Sequence, residues 1–137
     1  MANSRMYLGE STEHLVVSKL LDEGREVYLP VVDDHGIDIL VKSKEGAPDD
    51  YQEIQVKAED KIKHRGLFAA LNCPTPRRNY WFVFYVKSLD KLWVINSVAL
   101  VKIASQNQSG KNVGKYSINV VTNKKAPAPV GNFNMIP

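Results

Sequence analysis

Two short segments carry side chains that could do chemistry: Gly36-Ile37-Asp38-Ile39-Leu40-Val41 and Gln52-Glu53-Ile54-Gln55-Val56-Lys57. Each reads as a strand with ionisable or amide groups set into an apolar pattern. Side chains alternate across a strand, so Gln55 and Lys57 share one face while Ile54 and Val56 fill the other. An acid on one strand, with an amide and a lysine on the next, makes a polar cluster above a buried sheet. Burying such groups costs several kcal/mol unless they are paired or bind an ion. The cluster is therefore a candidate site.

These strands need an element to close the site, and the sequence before them supplies one. Residues 10–23 read as a helix, with Ser11 or Thr12 as its cap and Gly24 as its stop. On a helical wheel with Glu13 at the origin, Val16, Val17 and Leu20 follow at i+3, i+4 and i+7 and share a face. Glu13 thus falls in the stripe that packs on the sheet, and Glu10 falls at its edge. The plainer reading of Glu13 is an acid of the first turn, favoured by the helix dipole.

Strands over 26–32, 36–42 and 51–57 are predicted to form an antiparallel meander, joined by polar turns at 33–36 and 43–50. Leu67, Phe68 and Leu71 suggest a short helix over 65–72, and Pro74 and Pro76 then break the chain. The run 79–87 is apolar and aromatic, as in a strand covered on both faces. Strand 92–95, a helix capped by Asn96 or Ser97 and running through Ile103, and an edge strand over 116–121 follow. The expected fold is an α/β sandwich with a central mixed sheet, an N-terminal helix, and the site on the second and third strands. Residues 1–123 are expected to form one domain, and 124–137 a Pro-containing tail that lies on the body or docks on a partner.

The ordered set Gly9-Glu10-Ser11-Thr12-Glu13, Gly36-Ile37-Asp38 and Gln55-Val56-Lys57 resembles the PD-(D/E)xK nuclease superfamily. It looks most like the branch of Mrr-type restriction endonucleases and Holliday-junction resolvases. The likeness is good over residues 9–57 and looser through Tyr80–Val86. Two departures stand out: Ile37 replaces the proline that names the motif, and Gln55 takes the place of the second acid. The resemblance implies a restriction-endonuclease-like fold and metal-dependent hydrolysis of DNA phosphodiesters. It implies that Glu13, Asp38 and Gln55, with the Val56 backbone carbonyl, hold Mg²⁺ or Mn²⁺. Asp38 and Glu13 meet the minimum of one or two carboxylates that such an ion takes, with waters and substrate phosphate completing the shell. Lys57 would stabilise charge developing at the phosphate. Lys61, Lys63 and Arg65 would hold backbone phosphates without reading sequence. A nuclease of this size commonly needs a dimer or a separate recognition domain to choose a target, and a homodimer is one state this allows. The alternatives are a non-catalytic nucleic-acid-binding or regulatory module on the same fold, and a protein-interaction domain.

Composition limits the field without deciding it. A chain of 137 residues with 44% apolar content can bury the core of one domain. A formal charge of +3 permits a nucleic-acid partner without demanding one. The single cysteine, Cys73, excludes an internal disulfide and a cysteine-based zinc site, and reads as structural. Asp33, Asp34 and His35 read as turn residues, and the aromatics of the 79–87 run read as core rather than as base-stacking platforms. Neither a phosphate-binding glycine loop nor a serine-hydrolase elbow is present. The first six residues contain no apolar run of a signal peptide, and no stretch is long enough to span a membrane. The expected location is cytoplasmic.

Overall fold

The computed structural model describes residues 4–32 and 36–137. Helix α1 (Ser4–Asp22) begins earlier than its predicted start. Ser11 and Thr12 are inside it, and their hydroxyls donate to the Leu8 carbonyl at 3.1 and 2.7 Å instead of capping. This local alternative is open to any helical Ser or Thr. The buried stripe runs through Thr12, Val16 and Leu20. Glu13 is therefore on the flank of the packed face, not at its centre. The helix ends where Gly24 takes φ +78° and the Arg25 amide reaches back to the Leu20 carbonyl at 3.0 Å, a geometry that favours glycine.

The main sheet has five strands: β1 (Val27–Tyr28), β2 (Ile39–Lys42), β3 (Tyr51–Glu59), β5 (Tyr80–Val86) and β6 (Lys91–Asn96), in that spatial order. β1, β2 and β3 form the predicted antiparallel meander. β5 returns parallel to β3, and β6 pairs antiparallel with β5, so the sheet is mixed. β1 is much shorter than the predicted 26–32, because Pro30 cannot donate to a ladder.

The predicted helix over 65–72 is instead strand β4 (Leu67–Leu71), which joins β8 (Tyr116–Asn119) and β7 (Ser105–Gln106) in a second sheet of order β4-β8-β7. Gly66 at φ +85° and Ala70 at φ +56° cannot sit in a right-handed helix. A register shift between Phe68 and Leu71 lets both bury on one side. A bulged strand thus reproduces the three-residue apolar spacing that mimics a helix. β8, expected at an edge, is the central strand of this sheet. Helix α2 (Ser97–Ile103) starts as predicted, with the Asn96 side chain accepting from the Val98 amide.

Two apolar clusters sandwich the main sheet. On one side Val16 and Leu20 of α1 pack on Ile39, Val41, Ile54 and Val83. On the other, Phe82 and Phe84 pack against Phe68, Leu100 and Ile118. Phe82, Val83 and Phe84 are all fully buried, as a strand covered on both faces requires. Residues 124–137 lie on the body. Phe133 and Ile136 complete the helix-side cluster, and the buried Arg25 guanidinium donates to the carbonyls of Ile136 and Pro137 at 3.1 and 2.7 Å. Among the described residues no helix is long and apolar enough to cross a membrane.

Candidate active site

Asp38 stands just before β2, at the end of the sheet. Its amide donates to the Ile54 carbonyl at 2.9 Å, and its Oδ2 accepts from the Val56 amide at 2.7 Å. Two bonds to neighbouring residues of β3 fix both the backbone and the carboxylate. Gly36, two residues earlier, has φ +72°, and a Cβ there would meet the Tyr80 hydroxyl at 3.3 Å. A glycine is therefore favoured at the start of the Gly36-Ile37-Asp38 turn.

Asp38 and Glu13 line one cleft of about 250 Å³, with Glu10, His14, Leu29 and Pro30 among its other walls. The helix carboxylate and the strand carboxylate thus face a shared space, and Glu13 is half-buried there. Two carboxylates from separate elements are the donor set that a hard divalent ion takes, with water and phosphate oxygens filling the remaining positions. Among the described residues no group of three or more His, Cys, Asp or Glu side chains could hold a metal.

Gln55 and Lys57 project from the face of β3 opposite Ile54 and Val56, both half-buried. The regular β2–β3 register ends at Ile39 and Ile54, and the Asp38 amide bonds the Ile54 carbonyl instead of facing Gln55. Gln55 and Lys57 are not among the cleft-lining residues, and the Gln55 amide lies against Gly36. On β5, Phe82 and Phe84 pair with Gln55 and Lys57. Lys57 thus shares its sheet face with Phe84 of the apolar cluster.

Tyr80 is a site residue that the sequence reading assigned only to the core. It is 4% exposed. Its hydroxyl lies 2.6 Å from Gln55 Oε1 and 3.0 Å from the Gly36 carbonyl. A phenol has one proton and cannot donate to both at once. Turning the Gln55 amide over satisfies all three groups: Nε2 donates to the Tyr80 oxygen, the Tyr80 proton goes to Gly36, and Gln55 Oε1 swings away from Tyr80. Amide orientation is set by such networks. Burial, and then the charges of Cys73 and Asp38, push the Tyr80 hydroxyl up to about 12 against the opposing pull of Arg77. It stays a neutral donor at ordinary pH. The Arg77 guanidinium lies 4.5 Å from the centre of the Tyr80 ring and bonds Glu53 at 2.9 Å.

Lys61, Lys63 and Arg65 are exposed on the loop that follows β3. The buried Glu59 carboxylate shapes this loop, accepting from the amides of Lys61 at 2.6 Å and Gly66 at 2.8 Å. A Cβ on Gly66 would come within 2.5 Å of the Val121 side chain. The loop therefore has one well-defined course. Cys73 is buried and free, as expected. Asp33, Asp34 and His35 lie outside the described residues.

No protein-family model matches the chain, and no curated protein matches it. Among solved structures, the chain is similar to a bacterial homing endonuclease, I-Ssp6803I, with a TM-score of 0.60 and 18% sequence identity. The match covers 93% of this chain and 85% of that one. At that identity the likeness establishes the fold: a nuclease-like α/β fold with a mixed five-stranded sheet and an N-terminal helix.

Proposed function

We propose that this chain is a metal-dependent endonuclease-like domain that hydrolyses DNA phosphodiesters, within the PD-(D/E)xK superfamily and near its Mrr and Holliday-junction-resolvase branch. The observation that carries the reading is the shared cleft of Glu13 and Asp38 on a fold similar to that of a homing endonuclease. Glu13 and Asp38 would hold Mg²⁺ or Mn²⁺, with the Gln55 side-chain oxygen and the Val56 carbonyl as neutral donors. Such an ion, when bound, supplies Lewis-acid charge to the scissile phosphate and makes the attacking water more acidic.

The chain's own residues do the rest. The Val56 amide orients the Asp38 carboxylate. Tyr80 holds the Gln55 amide in one orientation. Lys57 contributes positive charge where negative charge grows on the phosphate, which lowers the barrier more than it strengthens binding. Lys61, Lys63 and Arg65 hold the flanking phosphates of the DNA backbone. Residues 1–123 form the nuclease-like unit in this reading, and 124–137 act as a strap that seals it. A homodimer would present two such sites to the two strands of a duplex.

Gln55 in the acid position favours a second reading, a DNA-binding module that does not cut. Cleavage of plasmid, linear and branched DNA with Mg²⁺ or Mn²⁺, set beside Lys57→Ala, decides between them. The nuclease reading expects cation-dependent cutting, and a rate that falls by two or more orders of magnitude in Lys57→Ala, as for loss of one oxyanion donor, with DNA affinity nearly intact. DNA binding without cutting under either ion gives the second reading. Neither binding nor cutting leaves the fold as a protein-interaction domain.

A further inference from the structure

A second concavity lies beside the carboxylate cleft. Tyr28 of β1, Leu40 of β2 and Glu53 of β3 form one cross-strand row, on the face of the sheet away from α1. The second sheet and α2 cover this face over β5 and β6 and leave the β1–β2–β3 half open. The row opens into a groove of about 350 Å³, whose walls include Leu29, Pro30 and Val32. Tyr28, Leu29 and Val32 are 44%, 61% and 69% exposed. An apolar ridge this exposed beside a polar cleft marks a surface that something covers.

Position says what covers it. Leu29 and Pro30 line both the groove and the cleft of Glu13 and Asp38. Ile37, another wall of the groove, is the immediate chain neighbour of Asp38. A DNA strand with a phosphate at Asp38 therefore brings an adjacent nucleoside to the groove. The groove's chemistry suits a base. Tyr28 offers an aromatic ring, already edge-on to Tyr51 at 6.0 Å. Leu40 offers an aliphatic floor. Glu53, held by Arg77 through Oε1, offers a carboxylate that accepts from the amino group of a base.

We propose that this groove holds an unstacked base of the DNA strand seated at the neighbouring cleft, and that the preferred substrate carries an unpaired nucleotide there. The inference rests on the nuclease-like reading for the identity of the polymer. Taking a base out of a paired stack costs free energy, least where the base is already unpaired. Stacking on an aromatic recovers roughly 5- to 150-fold in affinity per base. Gain and cost are comparable in a paired duplex, while an unpaired base keeps the gain.

Binding in the absence of divalent ions tests this without cleavage. The full chain is titrated with a paired duplex and with the same duplex carrying one unpaired 2-aminopurine. The unpaired form should bind at least about fivefold tighter, the lower end of the stacking range, with a change in 2-aminopurine emission. Tyr28→Ala should erase that preference and leave affinity for the paired duplex unchanged; Tyr28→Phe should retain it. Equal affinities, or a preference that survives Tyr28→Ala, overturn the inference. A dimer in sedimentation that Tyr28→Ala dissociates also overturns it, since a second copy then occupies the groove. Cation-dependent cutting with no preference removes the groove's role and keeps the nuclease reading. Preferential binding without cutting keeps the groove and removes hydrolysis.

Discussion

At the scale of single residues, Tyr80 does the most that its position in the sequence conceals. In Tyr80–Val86 it starts an apolar run, and a tyrosine there reads as core. The readable signal was the hydroxyl itself, since a buried phenol needs a partner. Strand alternation is a local rule, and it set Gln55 and Lys57 on the face of β3 opposite Ile54 and Val56. That Glu13 flanks the packed stripe, with Thr12 at its centre, depends on where α1 docks, which no local rule gives. Tyr80 also sets an alkaline limit. Its hydroxyl is raised in the folded protein to about 12 from an ordinary 10, so its contribution to stability is complete below pH 10 and is lost as pH rises toward 12. We expect urea unfolding at pH 8 and pH 11 to differ less in Tyr80→Phe than in wild type, by about 1–1.5 kcal/mol. Tyr85, also pushed up to about 12, titrates in both proteins and cancels. At pH 8 the same substitution should cost about 1–2 kcal/mol, because the Gly36 carbonyl and the Gln55 amide lose their partner.

At the scale of elements, the basic loop after β3 gives a prediction that runs against simple charge. Glu59→Ala makes the chain one charge more positive, which by itself would favour DNA. It also frees the amides of Lys61 and Gly66 from the carboxylate that shapes the loop. We expect DNA affinity to fall and folding stability to drop by about 2–3 kcal/mol, read from binding at several salt concentrations and from denaturant midpoints. Gly66→Ala should act in the same direction, because φ +85° and the approach to Val121 leave no room for a methyl group. The meander and β5 were legible from alternation and apolar density. β4 was not. Its Leu67, Phe68 and Leu71 fit a helical face, and only the bulge reveals a strand. Pairing with β8, some 50 residues away, overrode local spacing.

At the scale of the whole molecule, the fold is a sheet between two unlike layers, one helical and one made of strands. The helical layer is complete only with residues from the far end of the described chain. Phe133 is fully buried against α1 and the sheet, and its amide donates to Glu23 at 3.2 Å. Sequence alone left 124–137 as a Pro-containing tail, since Val130, Phe133, Met135 and Ile136 are set among prolines with no period to read. Phe133→Ala should lower stability by about 3–5 kcal/mol, measured by thermal or urea unfolding. Cation affinity by calorimetry should fall with it under conditions where the helix-side cluster loosens, because Glu13 rides on that helix.

The strap also bears on the order in which the protein is made. Chains emerge from the ribosome N-terminus first, at about 5–20 residues per second. Helix α1 emerges well before Phe133, which bonds Glu23 just past its end and lies 110 positions later. Through most of synthesis the packed side of α1 has no lid, and the helix carrying Glu13 has no settled seat beside Asp38. The helix-side cluster therefore closes only after Phe133 and Ile136 have emerged.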